Sequence, residues 1–322
     1  MNKRSFVVLL AASALASLTC GAGAQTYPSK PIRMVVPFAA GGPTDVYART
    51  VGQELTKLLG QPVIVDNRPG AGGNLGADLV AKSPPDGYNV VLGAVGAFAV
   101  NMTLYPKMPY DVLRDFAPVS LVAIVPMVLV VNPGVPVKTP KELVELAKSK
   151  PGTLSYGSAG NGTSIHMSAE MFKAMTGIDM AHVPYKGAAP AMTDLIGGQV
   201  QLMFADATSV IPHVKSGKVR AVAATKHVEA MPEVPTFAQS GFPSYDPTVW
   251  YGVFAPAGTP RDVVLKLNAG IAKSLQARDV RERLIGLGAQ PTSSTPEEFT
   301  EFVRAEIPRW GKVVKSSGAT VD

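Results

Sequence analysis

The sequence predicts an α/β protein built as two lobes. Three observations carry that expectation: short apolar runs alternate with amphipathic segments, glycine-rich turns join strands to helices, and two extended segments bracket a middle region with strands and helices of its own. Ile32 to Val36 reads as the first strand and Gly41-Gly42-Pro43 as the turn after it. A helix is expected from about Thr44 to Leu59, because Tyr47, Val51, Leu55 and Leu58 recur at steps of four, four and three and form one buried stripe. Pro43 suits the first helical position and Gly60 the stop. Pro62 to Val65 reads as a strand, Asn74 to Lys82 as a helix and Tyr88 to Leu92 as a strand.

Three later segments share a helix-start signal: Thr139-Pro140-Lys141-Glu142, Thr259-Pro260-Arg261-Asp262 and Thr295-Pro296-Glu297-Glu298. Each offers a hydroxyl cap, a proline at the first helical position and an acid three residues after the cap. The last helix carries Phe299, Phe302, Val303, Ile307 and Trp310 as a core stripe. The extended segments Leu121 to Val131 and Thr248 to Ala255 are the expected crossovers. They assign residues 25–124 and 247–322 to one lobe and 125–246 to the other, with two strand-like hinges between them.

Residues 1–24 stand apart. Lys3 and Arg4 form a basic start, Phe6 to Leu18 an apolar run, and Ala22-Gly23-Ala24 an A-x-A cleavage site. The run is shorter than the roughly 20 residues a membrane crossing needs, so it reads as a secretory signal peptide cleaved after Ala24, with a mature chain in the periplasm. Cys20, the only cysteine, falls inside it, and Thr19 and Ser17 stand where a lipoprotein anchor wants a small residue and a leucine. Once cleaved, the chain has no disulfide, no thiol nucleophile and no thiolate metal site. The net charge of +6 drops to +4 on losing Lys3 and Arg4, and the basic residues are scattered, so no nucleic-acid footprint is expected.

Catalytic and cofactor signals are poor. His166, His182, His213 and His227 lack metal-ligand spacing, and there is no H-E-x-x-H. Tyr156-Gly157-Ser158-Ala159-Gly160 lacks the first glycine of a nucleophile elbow. Gly70-Ala71-Gly72-Gly73-Asn74-Leu75-Gly76 departs from the dinucleotide spacing, and Val95 stands where its acid belongs, so it reads as a turn. No enzyme activity, cofactor or metal is expected.

Anion capture has a better case. Pro37 to Asp45 and Tyr156 to Ser164 both have the form strand, small residues, helix. The first turn of a helix has unpaired N–H groups and about half a positive charge, glycines allow close approach, and Ser and Thr add donors. Two such loops from opposite lobes would clamp a carboxylate without any arginine. Each loop also satisfies the plain need of an α/β chain to reverse direction. Asp45 is accounted for by its helix start and by Arg49 four residues on. Asp206, ending the run Leu202 to Asp206, reads either as a ligand contact at a strand end or as a helix cap.

These residues resemble a known family. Tyr27-Pro28-Ser29-Lys30-Pro31-Ile32-Arg33, Val36 to Asp45, Val65-Asp66-Asn67-Arg68-Pro69-Gly70-Ala71-Gly72-Gly73, Asp86-Gly87-Tyr88, Tyr156 to Gly160, Val183-Pro184-Tyr185-Lys186-Gly187 and Trp250 to Pro260 run in order along the chain. Together they are similar to the Bug-type periplasmic receptors of tripartite tricarboxylate transporters. The resemblance implies a type II periplasmic-binding-protein fold, two α/β lobes joined by two hinge crossovers, with a ligand between them. The ligand class is a small carboxylate: a di- or tricarboxylate, an acidic amino acid or an aromatic carboxylate. The resemblance also implies delivery by a monomer to membrane transporter subunits, with a sensory role beside a membrane signalling protein as the alternative. It implies ligand contacts at Phe38, Ala40, Gly41, Gly42, Thr44 and Asp45 in one loop and Ser158, Ala159, Gly160, Asn161 and Thr163 in the other, partly through ordered water. His166 and Asp206 belong near the rest of the pocket. Gly93-Ala94-Val95-Gly96-Ala97 departs from the family in offering no hydroxyls, so the wall at Ala94 suits a less polar ligand such as an aromatic carboxylate.

Overall fold

The computed structural model describes residues 27–321; the signal-peptide expectation, its cleavage site and Cys20 lie outside them. The first elements follow the predicted alternation: β1 (Ile32–Val36), α1 (Pro43–Leu59), β2 (Val63–Asn67), α2 (Asn74–Ala81) and β3 (Asn89–Ala94). In α1, Tyr47, Val51 and Leu55 are buried as the stripe requires, and Gly60 stops the helix in the left-handed conformation, at φ 72°. Short one-turn helices lead to β4 (Phe116–Val125), which is followed by β5 (Met127–Val131), α3 (Pro140–Ser149), β6 (Ser155–Ser158), α4 (Ser164–Thr176), β7 (Ala181–Pro184), α5 (Ala188–Ile196), β8 (Leu202–Asp206), α6 (Ala207–Lys215) and β9 (Arg220–Ala224). The chain closes with β10 (Val249–Pro256), α7 (Arg261–Gln276), α8 (Arg278–Gly286), β11 (Gln290–Pro291) and α9 (Pro296–Ser317).

The strands form two sheets. One has six strands in the order β11-β4-β10-β3-β1-β2, and the other five in the order β7-β6-β8-β5-β9. β1 runs parallel to β2 and β3, and β6 parallel to β7 and β8, whereas β10 and β5 run antiparallel to their neighbours. This is the expected two-lobed α/β fold.

The two extended segments behave differently from each other. Leu121 to Val131 is broken at Pro126, with β4 in the first sheet and β5 in the second. Proline has no N–H to continue a ladder, and its carbonyl instead accepts the Ala207 N–H at 2.9 Å. Thr248 to Ala255 does not cross. β10 lies wholly in the first sheet between β3 and β4, buried along its whole length, and the return path is the irregular stretch before it.

The helix-start signals also divide. Thr139 and Thr295 cap α3 and α9, the latter in a full capping box with Glu298. Thr259 does not cap. Its hydroxyl donates to the Pro256 carbonyl at 2.7 Å, and α7 begins at Arg261 without a side-chain cap. Along α9, Phe299, Val303 and Trp310 are buried, and the Trp250 and Trp310 indole N–H groups both donate to Glu306, at 3.0 and 3.1 Å. α9 packs on β4 and also on α4, so it touches both sheets' layers.

Candidate functional site

The carboxyl ends of β1, β3, β6 and β8 meet around one cavity, where open α/β sheets gather ligands. Phe38, Gly42, Pro43 and Thr44 follow β1; Ala94 and Gly96 stand at the end of β3; Ala159, Thr163, Ser164 and Ile165 follow β6; Asp206 ends β8; and Ala188 and Tyr251 complete the wall. Its volume is about 20 Å³, room for about one water molecule.

Four helices start here. α1 is capped by Gly42, α4 by Thr163, α5 by Gly187 and α6 by Asp206. Gly42, Gly187 and Asp206 make no side-chain cap bond, so the first-turn N–H groups of those helices are left with no capping side chain. Each N-terminus adds about half a positive charge. Among the described residues no lysine or arginine lines the cavity. The arrangement suits an anion.

The two predicted loops are built differently. In the β1 loop, Asp45 accepts from the Gly41 N–H at 3.0 Å, Arg49 at 2.9 Å and Asn67 at 3.0 Å, and Asn67 also donates to the Phe38 carbonyl. Burial alone would raise the Asp45 pKa, but these bonds outweigh it and hold it below the usual value. Asp45 therefore braces the loop, and Ala40 and Gly41 sit exposed at its outer end. None of the three lines the cavity.

The α4 loop satisfies itself. Thr163 Oγ1 accepts from the His166 N–H and donates to the Gly160 carbonyl at 2.8 Å. The Gly162 N–H donates to His166 Nδ1 at 3.1 Å and the Gly160 N–H to Ser158 Oγ at 3.1 Å. Ser158 Oγ lies 2.6 Å from His182 Nε2, and the His166 and His182 rings stack at 4.1 Å. Burial pushes His166 down to about 4 and His182 to about 3, so both are neutral at physiological pH. Ser158 and His166 thus stand behind the loop and shape it. The Ser158–His182 pair has the spacing of a nucleophile and base, but Ser158 is fully buried away from the cavity.

Asp206 occupies a cap position without capping. Its carboxylate turns into the cavity, where Oδ2 accepts from the Tyr251 hydroxyl and Oδ1 has no partner among the described residues. Beside it, the Tyr47 hydroxyl of α1 meets Thr208 of α6 at 2.5 Å. Burial pushes the Asp206 pKa up to about 6, against the opposing Tyr251 bond.

The seam between the sheets is tight. Ala39 N–H donates to the Lys186 carbonyl at 3.2 Å and Tyr105 to the Asn161 carbonyl at 3.3 Å. A Cβ on Gly96 would lie 2.8 Å from the Gly162 carbonyl oxygen, and one on Gly72 would collide with that of Asn161. The glycine-rich turn from Gly70 is therefore a contact surface between the lobes. Beside the cavity, sharing Phe38 and Ala159, lies an outer chamber of about 220 Å³ that Gly160, Asn161, Tyr105 and Lys186 help to line.

Of the residues expected at the site, Phe38, Gly42, Thr44, Ala94, Ala159, Thr163 and Asp206 line the inner cavity, and Gly160 and Asn161 the outer chamber. Pro43, Gly96 and Ser164 lie in the expected segments without having been singled out, and Ile165, Ala188 and Tyr251 fall outside the expected site residues. Tyr251 arrives because β10 pairs antiparallel with β3, setting it opposite Ala94.

A family model described as "Tripartite tricarboxylate transporter family receptor" matches residues 47–319. Protein BugT of Bordetella pertussis is 40% identical over 309 residues, covering 95% of each chain. Among solved structures, Rpa4515 of R. palustris with adipate is 38% identical with a TM-score of 0.89, covering 92% of this chain and 100% of that one. MatC of Rhodopseudomonas palustris with bound malate is 36% identical with a TM-score of 0.85, covering 89% and 100%. With a family model matching residues 47–319 and relatives agreeing in fold over nearly its whole length, the chain belongs to the tripartite tricarboxylate transporter receptor family.

Proposed function

We propose that this protein is a periplasmic receptor that closes two lobes, residues 25–124 with 247–322 and residues 125–246, on a small carboxylate and delivers it to the membrane subunits of a tripartite tricarboxylate transporter. The convergence of four helix N-termini on a cavity free of cationic side chains carries this reading. Charge-assisted hydrogen bonds are worth roughly 1.5–3 kcal/mol each. Near the upper end of that range, three of them reach the roughly 8 kcal/mol of micromolar binding once solvent is excluded. Phe38, Gly42, Thr44, Ala159 and Thr163 form the wall around the first carboxylate, and the outer chamber gives a longer ligand room to extend. Adipate in Rpa4515 and malate in MatC are both dicarboxylates, which supports this ligand class. The cavity holds about one water as it stands, so the lobes must part to admit a ligand and settle around it.

The leader read from the sequence of residues 1–24 and the family support a periplasmic location. Burial of Ser158 supports a receptor without turnover. A thermal-shift screen of mono-, di- and tricarboxylates, adipate and malate included, tests the reading. A ligand at 100 times its dissociation constant stabilises by about 2.7 kcal/mol. If no carboxylate raises the melting temperature while a neutral solute does, the reading fails. Capture of the transporter's membrane subunits by the liganded protein in detergent tests delivery.

A further inference from the structure

Asp206 is the one acidic side chain in the cavity wall, and its environment is incomplete. It is fully buried, and Oδ1 has no hydrogen-bond partner among the described residues. Such a group is costly to leave unsatisfied. The cap bonds that an aspartate at a helix start normally makes are not made. The titratable groups facing it are Tyr251 of β10 and Tyr47 of α1, both kept neutral by burial, and their hydroxyls are committed to Asp206 Oδ2 and Thr208. Among the described residues no cation offsets the charge, and a ligand carboxylate beside Oδ1 would set two anions side by side. What Oδ1 lacks is a donor.

We propose that Asp206 is a selectivity residue: its free oxygen accepts a hydrogen bond from a hydroxyl or ammonium group on the bound carboxylate, so the receptor prefers ligands bearing such a donor to their bare counterparts. This rests on the carboxylate-receptor reading and names the ligand class within it. A ligand entering the cavity displaces the water that has room there. One that returns a hydrogen bond to Oδ1 keeps its affinity, and one that does not leaves the oxygen stranded on closure. The helix N-termini hold the ligand's carboxylate, and Asp206 reads what stands beside it.

Calorimetric titration with matched sets tests this: succinate, malate and aspartate; glutarate, 2-hydroxyglutarate and glutamate; benzoate and 4-hydroxybenzoate. In the wild type, a donor-bearing member of at least one set binds about tenfold tighter than its bare partner. In Asp206→Ala that preference collapses to within about threefold. In Asp206→Asn, which keeps an acceptor for Tyr251 and offers an amide donor, bare acids gain relative to the wild type. Both variants are checked for cooperative melting, and the isosteric asparagine keeps the test valid if alanine misfolds. Equal binding of bare and donor-bearing acids in every set overturns the inference, as does a preference that survives in Asp206→Asn. If no carboxylate binds the wild type at all, the receptor reading falls first, and this inference with it.

Discussion

The two clamp loops look alike in sequence and differ in what they leave free. Both run from strand through small residues to a helix start. The α1 start has glycine at its cap and no side chain bonded to its first turn. The α4 start is closed on itself by Thr163, His166 and Ser158. A hydroxyl before a helix can serve either the ligand or the loop, and only the partner it finds decides which. Here Thr163 serves the loop, whereas the α1 start keeps its backbone N–H groups and the cavity-lining Thr44 hydroxyl for an anion.

The largest expected effect breaks the seam that brings the loops together. Gly96→Val sets a side chain against Gly162 and Thr163 of the opposite lobe, so the lobes cannot seat. Carboxylate affinity measured by calorimetry should fall about 100-fold, with a cooperative melt retained. Unchanged affinity would mean the seam need not close.

Asp206 sharpens the comparison through pH. Its carboxyl is raised from 3.8 to about 6 in the folded protein, so folding favours the protonated form. The stability it contributes is fully present below about pH 4 and is lost as pH rises through 6. Asp206→Asn should therefore stabilise the empty protein at pH 7.5 by on the order of 2–3 kcal/mol and by far less at pH 4. Melting curves at the two pH values check this, and a stabilisation independent of pH would contradict it.

A smaller effect separates cap from ligand contact. Thr163→Val loses the cap of α4 and should cost about 1 kcal/mol of stability, which Thr163→Ser restores. A loss of binding in Thr163→Val with no loss of stability would make Thr163 a direct contact after all. The smallest effect is expected at Lys186, which is exposed and lines only the outer chamber. Lys186→Met should change affinity for a short dicarboxylate by less than about twofold, and abolished binding would replace backbone capture with a salt bridge.

Much of this was legible in the chain. The α1 stripe gave that helix nearly to the residue, and the glycine-rich turns pointed to the strand ends where Phe38, Gly42, Thr44, Ala159 and Thr163 line the cavity. Tyr251 was not legible, because its facing depends on the register of β10 against β3, two strands distant in sequence. Ala188 escaped because a small residue at a helix start carries no chemistry of its own. Ser158, His166 and Asp45 carried polar signals that proved to be internal to their loops. The same lesson covers Thr248 to Ala255, where an apolar strand was read as a crossover, although local pattern cannot say which sheet a strand joins.

The central claim is that backbone N–H groups at helix starts hold the carboxylate. Nuclear magnetic resonance of deuterated, 15N-labelled protein titrated with whichever dicarboxylate binds measures this directly. Downfield shifts are expected of the amide protons of Thr44, Ser164, Ile165 and Ala188. Shifts confined to Lys186 and the outer chamber, with those amides unmoved at saturation, would contradict it.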